Sequence, residues 1–219
     1  MEVKSQPKRG RPPQSAEDAE RVRESIVAAT AEVFAEHGSH GMSVALILER
    51  AGIARPTFYR YFSNADEPLN VFLDRTDQAL VRGIVGAIGE ADDDVAMAIA
   101  VIDSYLEWAD HFGPALRPLF SELYDPASPV SVHRERALDQ VRTLAVARMV
   151  ELGRPVPDPL DLDTLLNACE FIVYRIAATE NPDADLTARA RSAMIRVAIA
   201  TLGQPDDLVR ALSVPGIFR

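Results

Sequence analysis

The twenty residues from Ser43 to Phe62, SVALILERAGIARPTFYRYF, constrain this chain more than any other stretch. Val44, Ile47, Leu48 and Ala51 recur at helical spacing, and Ser43 stands where a hydroxyl caps the helix they form. Gly52 supplies the positive φ that a tight helix exit needs. Pro56 falls near the start of a second helix, where its missing N–H is not needed. Phe58 and Phe62, four apart, take the inner face, which leaves Arg55, Thr57, Tyr59, Arg60 and Tyr61 around the outside. This is the layout of a helix-turn-helix, in which a short helix braces a second one that enters the DNA major groove. An ordinary helical hairpin has the same outline. What separates the two is that Asp and Glu are absent from Gly52 to Asn64, in a chain with 33 acidic residues against 23 Lys and Arg.

The net charge of -10 is unexpected for a DNA-binding protein until it is divided along the chain. Residues 1–75 hold ten Lys and Arg against eleven Asp and Glu, which leaves -9 to residues 76–219. Local field governs docking on phosphates, so the acidic body does not exclude DNA and is expected to keep nonspecific affinity modest. The first fourteen residues, MEVKSQPKRGRPPQ, are basic and rich in Pro and Gly, with too few apolar side chains to fold alone. They read as a flexible basic arm, and Lys8, Arg9 and Arg11 have the look of an AT-hook core suited to the minor groove. A solubilising tail is the alternative.

From about Glu17 to Leu73 the sequence resembles the N-terminal DNA-binding domain of the TetR family of bacterial transcription regulators. The resemblance rests on VAATAEVFAEHGSHGMSV, on AGIARPTFYRYFSN, and on a following helix that begins near Asp66. It implies an all-α fold: a three-helix helix-turn-helix domain over 15–66, then a larger helical domain for effector binding and dimerisation over 67–219. The function implied is a homodimeric, ligand-responsive regulator, a repressor on a palindromic operator. Arg55 and Thr57 would then read base edges, while Ser43, Tyr59, Arg60 and Tyr61 hold phosphates. Two residues depart from the family pattern. Ala65 stands where a phosphate-binding lysine is usual, and Pro68 where an apolar helical residue is usual. A small-molecule-binding protein that retains the fold, or a regulator without an effector, is the competing reading.

Beyond this segment the chain keeps a helical grammar with no strand signal, predicting about nine or ten helices. Ser15 with Asp18, Asn64 with Glu67, Asp92 to Asp94, Gly113-Pro114, Pro129, Asp158-Pro159 and Asn181-Pro182 are start or stop signals. The single Cys169 excludes an internal disulfide and a cysteine zinc cage. No apolar run approaches the roughly 20 residues that span a bilayer, and no apolar region follows the basic start as in a secretory signal. A cytoplasmic protein is expected. His37, His40, His111 and His133 form no metal-ligand pattern with the carboxylates, and neither a nucleophile–base pair nor a Gly-rich phosphate loop is present. Neither enzyme chemistry, nor a cofactor, nor a metal is expected.

Two late helices are apolar on more than one side and must be buried on more than one side. Leu165, Leu166, Ile172, Val173 and Ile176 on one, and Met194, Val197 and Thr201 on the next, are predicted to form a four-helix dimer interface. Completing one monomer's core is the alternative. Tyr105, Trp108, Phe112, Phe120, Tyr124, Met149, Asn167, Phe171 and Tyr174 suit the lining of a cavity for an apolar or aromatic effector, or else core. Asp103, Glu107, Arg117, Glu122, Glu170 and Arg175 read as solvated.

Overall fold

Caps, prolines and glycines divide the chain into helices where the sequence places them. The computed structural model describes residues 15–91, 93–179 and 184–213. The basic arm, Asp92 and Asn181-Pro182 therefore lie outside the described residues. Helix α1, Ala16–Gly41, starts with the Ser15 hydroxyl accepting from the Asp18 N–H at 3.0 Å. It breaks at Gly38, whose φ of 66° leaves the helical region. Ser43 caps α2, Val44–Ala51, by accepting from Leu46 N–H at 3.3 Å, and Gly52 closes it in the left-handed conformation. Helix α3, Arg55–Phe58, is one turn long with Pro56 in that turn. Overlapping turns then carry the chain to Phe62, whose N–H reaches the Phe58 carbonyl at 3.0 Å. The helix expected to run through Tyr61 is thus shorter than its sequence suggests.

Helix α4, Asp66–Glu90, is primed by a reciprocal pair. Asn64 accepts from Glu67 N–H at 3.0 Å, and Glu67 accepts from Ser63 N–H at 2.8 Å. Pro68 sits in the first turn, where no intrahelical donor is lost, and is buried. Ile26, Val27, Val33, Ile47, Phe58 and Phe62 form the core of the small N-terminal unit, with Val71 and Phe72 of α4 packed on its edge.

The larger body follows as α5 (Asp94–Phe112), α6 (Leu116–Ser121), α7 (Pro129–Glu151), α8 (Pro159–Ala177), α9 (Ala184–Leu202) and α10 (Pro205–Leu212). A 3-10 turn over Gly113–Ala115 joins α5 to α6. Asp93, Ser128 and Asp158 cap α5, α7 and α8 through their side chains. Helix α10 is absent from the sequence expectation, although Pro205 followed by Asp206 and Asp207 repeats the start signal used elsewhere. The described residues contain ten α-helices and no strand. Helix α4 packs on α1, α5 and α7, while α8 and α9 pack on one another and against α6 and α5 respectively. Phe34 of α1 and Leu69 and Leu73 of α4 belong to the large core, so no floppy linker separates the two parts. Among the described residues no helix is long and apolar enough to cross a membrane.

Candidate nucleic-acid interface and effector cavity

The short α3 turns its aromatic pair inward and its basic residues outward. Phe58 and Phe62 are buried, whereas Arg55, Tyr59 and Arg60 are exposed and Thr57 is half-buried. The Arg55 guanidinium lies 6.0 Å from the Tyr59 ring centre, and that of Arg60 lies 5.9 Å from Tyr61. Tyr61 departs from its expected role. It is half-buried against the small core, and its hydroxyl is enclosed without a partner among the described residues. The Ser43 hydroxyl is engaged as a helix cap. Arg50 is drawn back toward α1 by Glu32 at 3.0 Å and Glu36 at 2.7 Å.

A polar bridge fixes the end of α1 to the larger body. Glu122, just past α6, accepts from the Ser39 backbone N–H at 2.8 Å and from the Ser39 and Ser128 hydroxyls, each at 2.5 Å. Glu122 is buried, not solvated as its sequence context suggests. Beside it His40 Nε2 meets Asp125 at 2.6 Å. That hydrogen bond holds the His40 imidazole above its ordinary value of 6.5 and the Asp125 carboxyl below its own. A group whose folded pKa is raised stabilises fully below its unfolded pKa and loses that contribution as pH rises through the folded value. Raising the pH above 6.5 is therefore expected to lower the melting temperature of the wild type more than that of His40→Ala; parallel melting curves for the two would contradict it.

Between α4, α5, α7 and α8 lies an apolar cavity of about 220 Å³. One face of each helix lines it: Leu73, Leu80, Ile84 and Ile88 of α4, Val101, Tyr105 and Trp108 of α5, Leu138, Val141 and Met149 of α7, Leu162, Leu165 and Leu166 of α8. Lining residues recur from Leu73 to Ile88, so the cavity follows the α4 axis for about 22 Å at 1.5 Å per residue. Tyr105 and Trp108 stack at 5.5 Å with 14° between their planes, and the Trp108 indole N–H donates to the Thr76 carbonyl at 3.1 Å.

Of the residues expected here, Tyr105, Trp108, Phe120 and Met149 line the cavity. The others do not. Phe112 packs on Phe72 and Trp108, and Tyr174 on Phe120. Phe171 is 60% exposed, and Tyr124, 69% exposed, bonds with Asn167. The aliphatic wall of α4 and α7 was missed, although its i, i+4 spacing is legible. Also missed were Asp77, His133 and Arg134, and Glu170 was assigned to water. Arg134 donates to Glu170 at 2.7 Å, to Glu135 at 2.7 Å and to Asn167 at 2.9 Å. Burial pushes the Glu170 carboxyl up against the pull of Arg134, and burial likewise pushes the Cys169 thiol to about 12, which makes it unreactive. His133 is buried between Asp77 at 2.9 Å and Asn70 at 3.0 Å. With Asp74 and Asp77 it offers three ligand atoms within 4.8 Å of one another, a grouping not legible in the sequence. His133 and Asp77 are already bonded to one another, and Arg136 sits 2.9 Å from Asp74.

The expected interface residues also divide. Val173 and Met194 are 1% and 0% exposed inside the monomer core, and Leu165 and Leu166 line the cavity. Ile172, Ile176, Val197 and Thr201 are half-buried on α8 and α9.

A glycine-turned helix pair with arginines outward, set on a larger helical body that encloses an apolar cavity, defines a helix-turn-helix protein with a separate ligand-sized compartment. Residues 26–67 match the family model of bacterial regulatory proteins, tetR family. Over 144 residues the chain is 28% identical to the HTH-type transcriptional activator FasR of Mycolicibacterium smegmatis, a match covering 60% of this chain and 66% of that relative, just under two thirds of its length. SmeT, the repressor of the Stenotrophomonas maltophilia multidrug efflux pump SmeDEF, superposes with a TM-score of 0.66 at 21% identity, covering 90% of this chain and 96% of SmeT. The fatty acid degradation regulator FadR from Bacillus halodurans gives 0.64 at 20% identity, covering 84% of this chain and 96% of FadR. At these identities the structural likeness is one of fold. The chain thus carries a tetR-family DNA-binding segment over residues 26–67, and its all-α architecture has the fold of solved TetR-family regulators.

Proposed function

We propose that this chain is a cytoplasmic, ligand-responsive transcription regulator that binds a palindromic operator as a homodimer and is released from it by an apolar effector. The observation that carries the reading is the pairing of an exposed, acid-free basic surface around α3 with an apolar cavity in the same chain. Arg55 and Thr57 serve as base readers, and Tyr59 and Arg60 as phosphate contacts. The outward face of α8, with Leu160 75% exposed and Phe171 60% exposed, supports pairing with a second copy, together with Ile176, Val197 and Thr201. Two-fold symmetry then sets half-sites about 34–36 Å apart or a multiple.

The cavity narrows the effector. A volume of about 220 Å³ drawn out along α4 lies below the roughly 300–1,000 Å³ of pockets that take drug-sized ligands, which favours a slender ligand over a bulky ring system. It suits a single alkyl chain. FadR of Bacillus halodurans, with the same fold, is described as a fatty acid degradation regulator, which supports a chain-like ligand. An effector that fits one spacing of the two α3 elements shifts the population toward it, and DNA is released when that spacing mismatches the operator. Repression follows where the operator overlaps a promoter.

The test is selection of genomic fragments by the purified full chain, followed by titration of the recovered site with alkyl-chain ligands. Recovery of a palindrome whose binding is lost in Arg55→Ala supports the reading; binding with no sequence preference refutes it. Ala65 adds a quantitative check. It occupies the cap position of α4, beside the exposed Ser63 and Asn64. Ala65→Lys is expected to strengthen operator binding and to steepen the slope of log K against log salt by about one unit. An unchanged slope would mean this position does not approach the DNA backbone.

A further inference from the structure

At one end of the channel the walls cease to be apolar. Asp94 at the start of α5, Arg154 just beyond α7 and Asp207 on α10 line it there. Arg154 Nη1 donates to Asp94 at 2.9 Å and Nη2 to Asp207, while Arg210 reaches Asp94 at 3.0 Å and also bonds Asp207. The Arg154 and Asp207 side chains are 12% and 4% exposed. One donor is left over. The Nε–H of Arg154, in a side chain that lines the channel, is enclosed and has no acceptor among the described residues, and such an orphaned donor calls for a partner oxygen. The other polar end offers no such opening, because every guanidinium nitrogen of Arg134 already has a partner.

We propose that the α10 end of the channel is the effector's head-group site, where Arg154 Nε–H donates to an oxygen acceptor on a linear apolar ligand and α10 closes over it through Asp207. The proposal rests on the effector reading above and adds the chemistry of the head. Two arginines already balance two aspartates, and Asp93 and Asp206 stand close by in sequence with further negative charge. A ligand carboxylate would compete with Asp94 and Asp207 for the same guanidinium in a poorly solvated space. The head is therefore neutral, an ester or amide carbonyl or a hydroxyl. Helix α10 is suited to open and close. Asp207 and Ala211 are buried, whereas Leu208, Val209 and Leu212 are exposed, so ion pairs rather than apolar burial hold it down.

The experiment measures binding of methyl laurate, lauric acid and dodecane to the full-length protein through the change in emission of Trp108, which stands in the channel wall. The ester is expected to bind at least about tenfold more tightly than the alkane, and more tightly than the acid at neutral pH. Arg154→Lys keeps a cation for Asp94 and Asp207 but lacks the Nε–H, and is expected to bring the ester down to the alkane's level. Equal binding of ester and alkane by the wild type, tightest binding of the acid, or an ester preference that survives in Arg154→Lys would each overturn the head-group site and leave the channel reading standing. Failure of all three chains to bind would overturn the effector reading itself. The wild-type ranking remains decisive if Arg154→Lys does not fold.

Discussion

Phe58→Ala is expected to unfold the DNA-binding unit while the effector cavity persists. Phe58 is fully buried among Ile26, Val27, Val33, Ile47 and Phe62, and meets Tyr59 edge-on at 5.5 Å. Removing a buried phenyl ring costs about 3–5 kcal/mol, because the loss of transfer free energy is joined by the cavity left behind. Whole domains are stable by only about 5–15 kcal/mol, and this core has few side chains with which to refill the gap. Operator binding should therefore vanish near physiological temperature. The only tryptophan, Trp108, stands in the cavity wall and donates to Thr76 of α4 at 3.1 Å, so its emission reports the other compartment. Unchanged Trp108 emission and ligand response, with operator binding abolished, is the expected pattern. Operator affinity within a few-fold of wild type would show that Phe58 does not hold the recognition element.

The features legible in the sequence are those whose physics is local. Ser15 with Asp18, Ser43 with Leu46, and Asn64 with Glu67 are contacts over three residues, and Gly52 and Pro56 act through their own backbone angles. Each of these could be read from spacing alone. The length of α3 could not, because its shortening depends on how Tyr59 to Phe62 wrap onto the small core. Cavity membership is likewise nonlocal. Trp108 and Phe112 are one turn apart on α5, yet only Trp108 faces the void, since Phe72 of α4 covers Phe112. The bond between Arg134 and Glu170 joins residues 36 apart, and neither charge betrays in sequence that it is turned inward. A helix apolar on two sides announces that it is buried twice, but not by what. For α8 part of the answer is a void, lined by Leu165 and Leu166.

The bridge at Glu122 yields the second large effect. Its carboxylate is 9% exposed and accepts three donors: the Ser39 N–H and the hydroxyls of Ser39 and Ser128. Glu122→Ala leaves those donors facing a gap, and stranding enclosed polar groups costs about 1–3 kcal/mol each before water enters. A net loss of about 3 kcal/mol corresponds to roughly 6–12 °C in melting temperature for a chain of this size. Gly38→Ala should act on the same contact, since its Cβ would fall 2.5 Å from Glu122 Oε1 at a φ of +66° that side chains rarely adopt. The functional consequence comes from position. Leu119 and Phe120 of α6 line the cavity, Glu122 follows at once, and the Ser39 it grips lies four residues before the cap of α2. On the proposed function, strain set up by an effector against α6 would reach the helix-turn-helix through this carboxylate. In Glu122→Ala the effector should still bind, read by Trp108, but should no longer release the operator. A variant that melts with the wild type and releases DNA in full would show that α4, the other connection between the two cores, carries the signal alone.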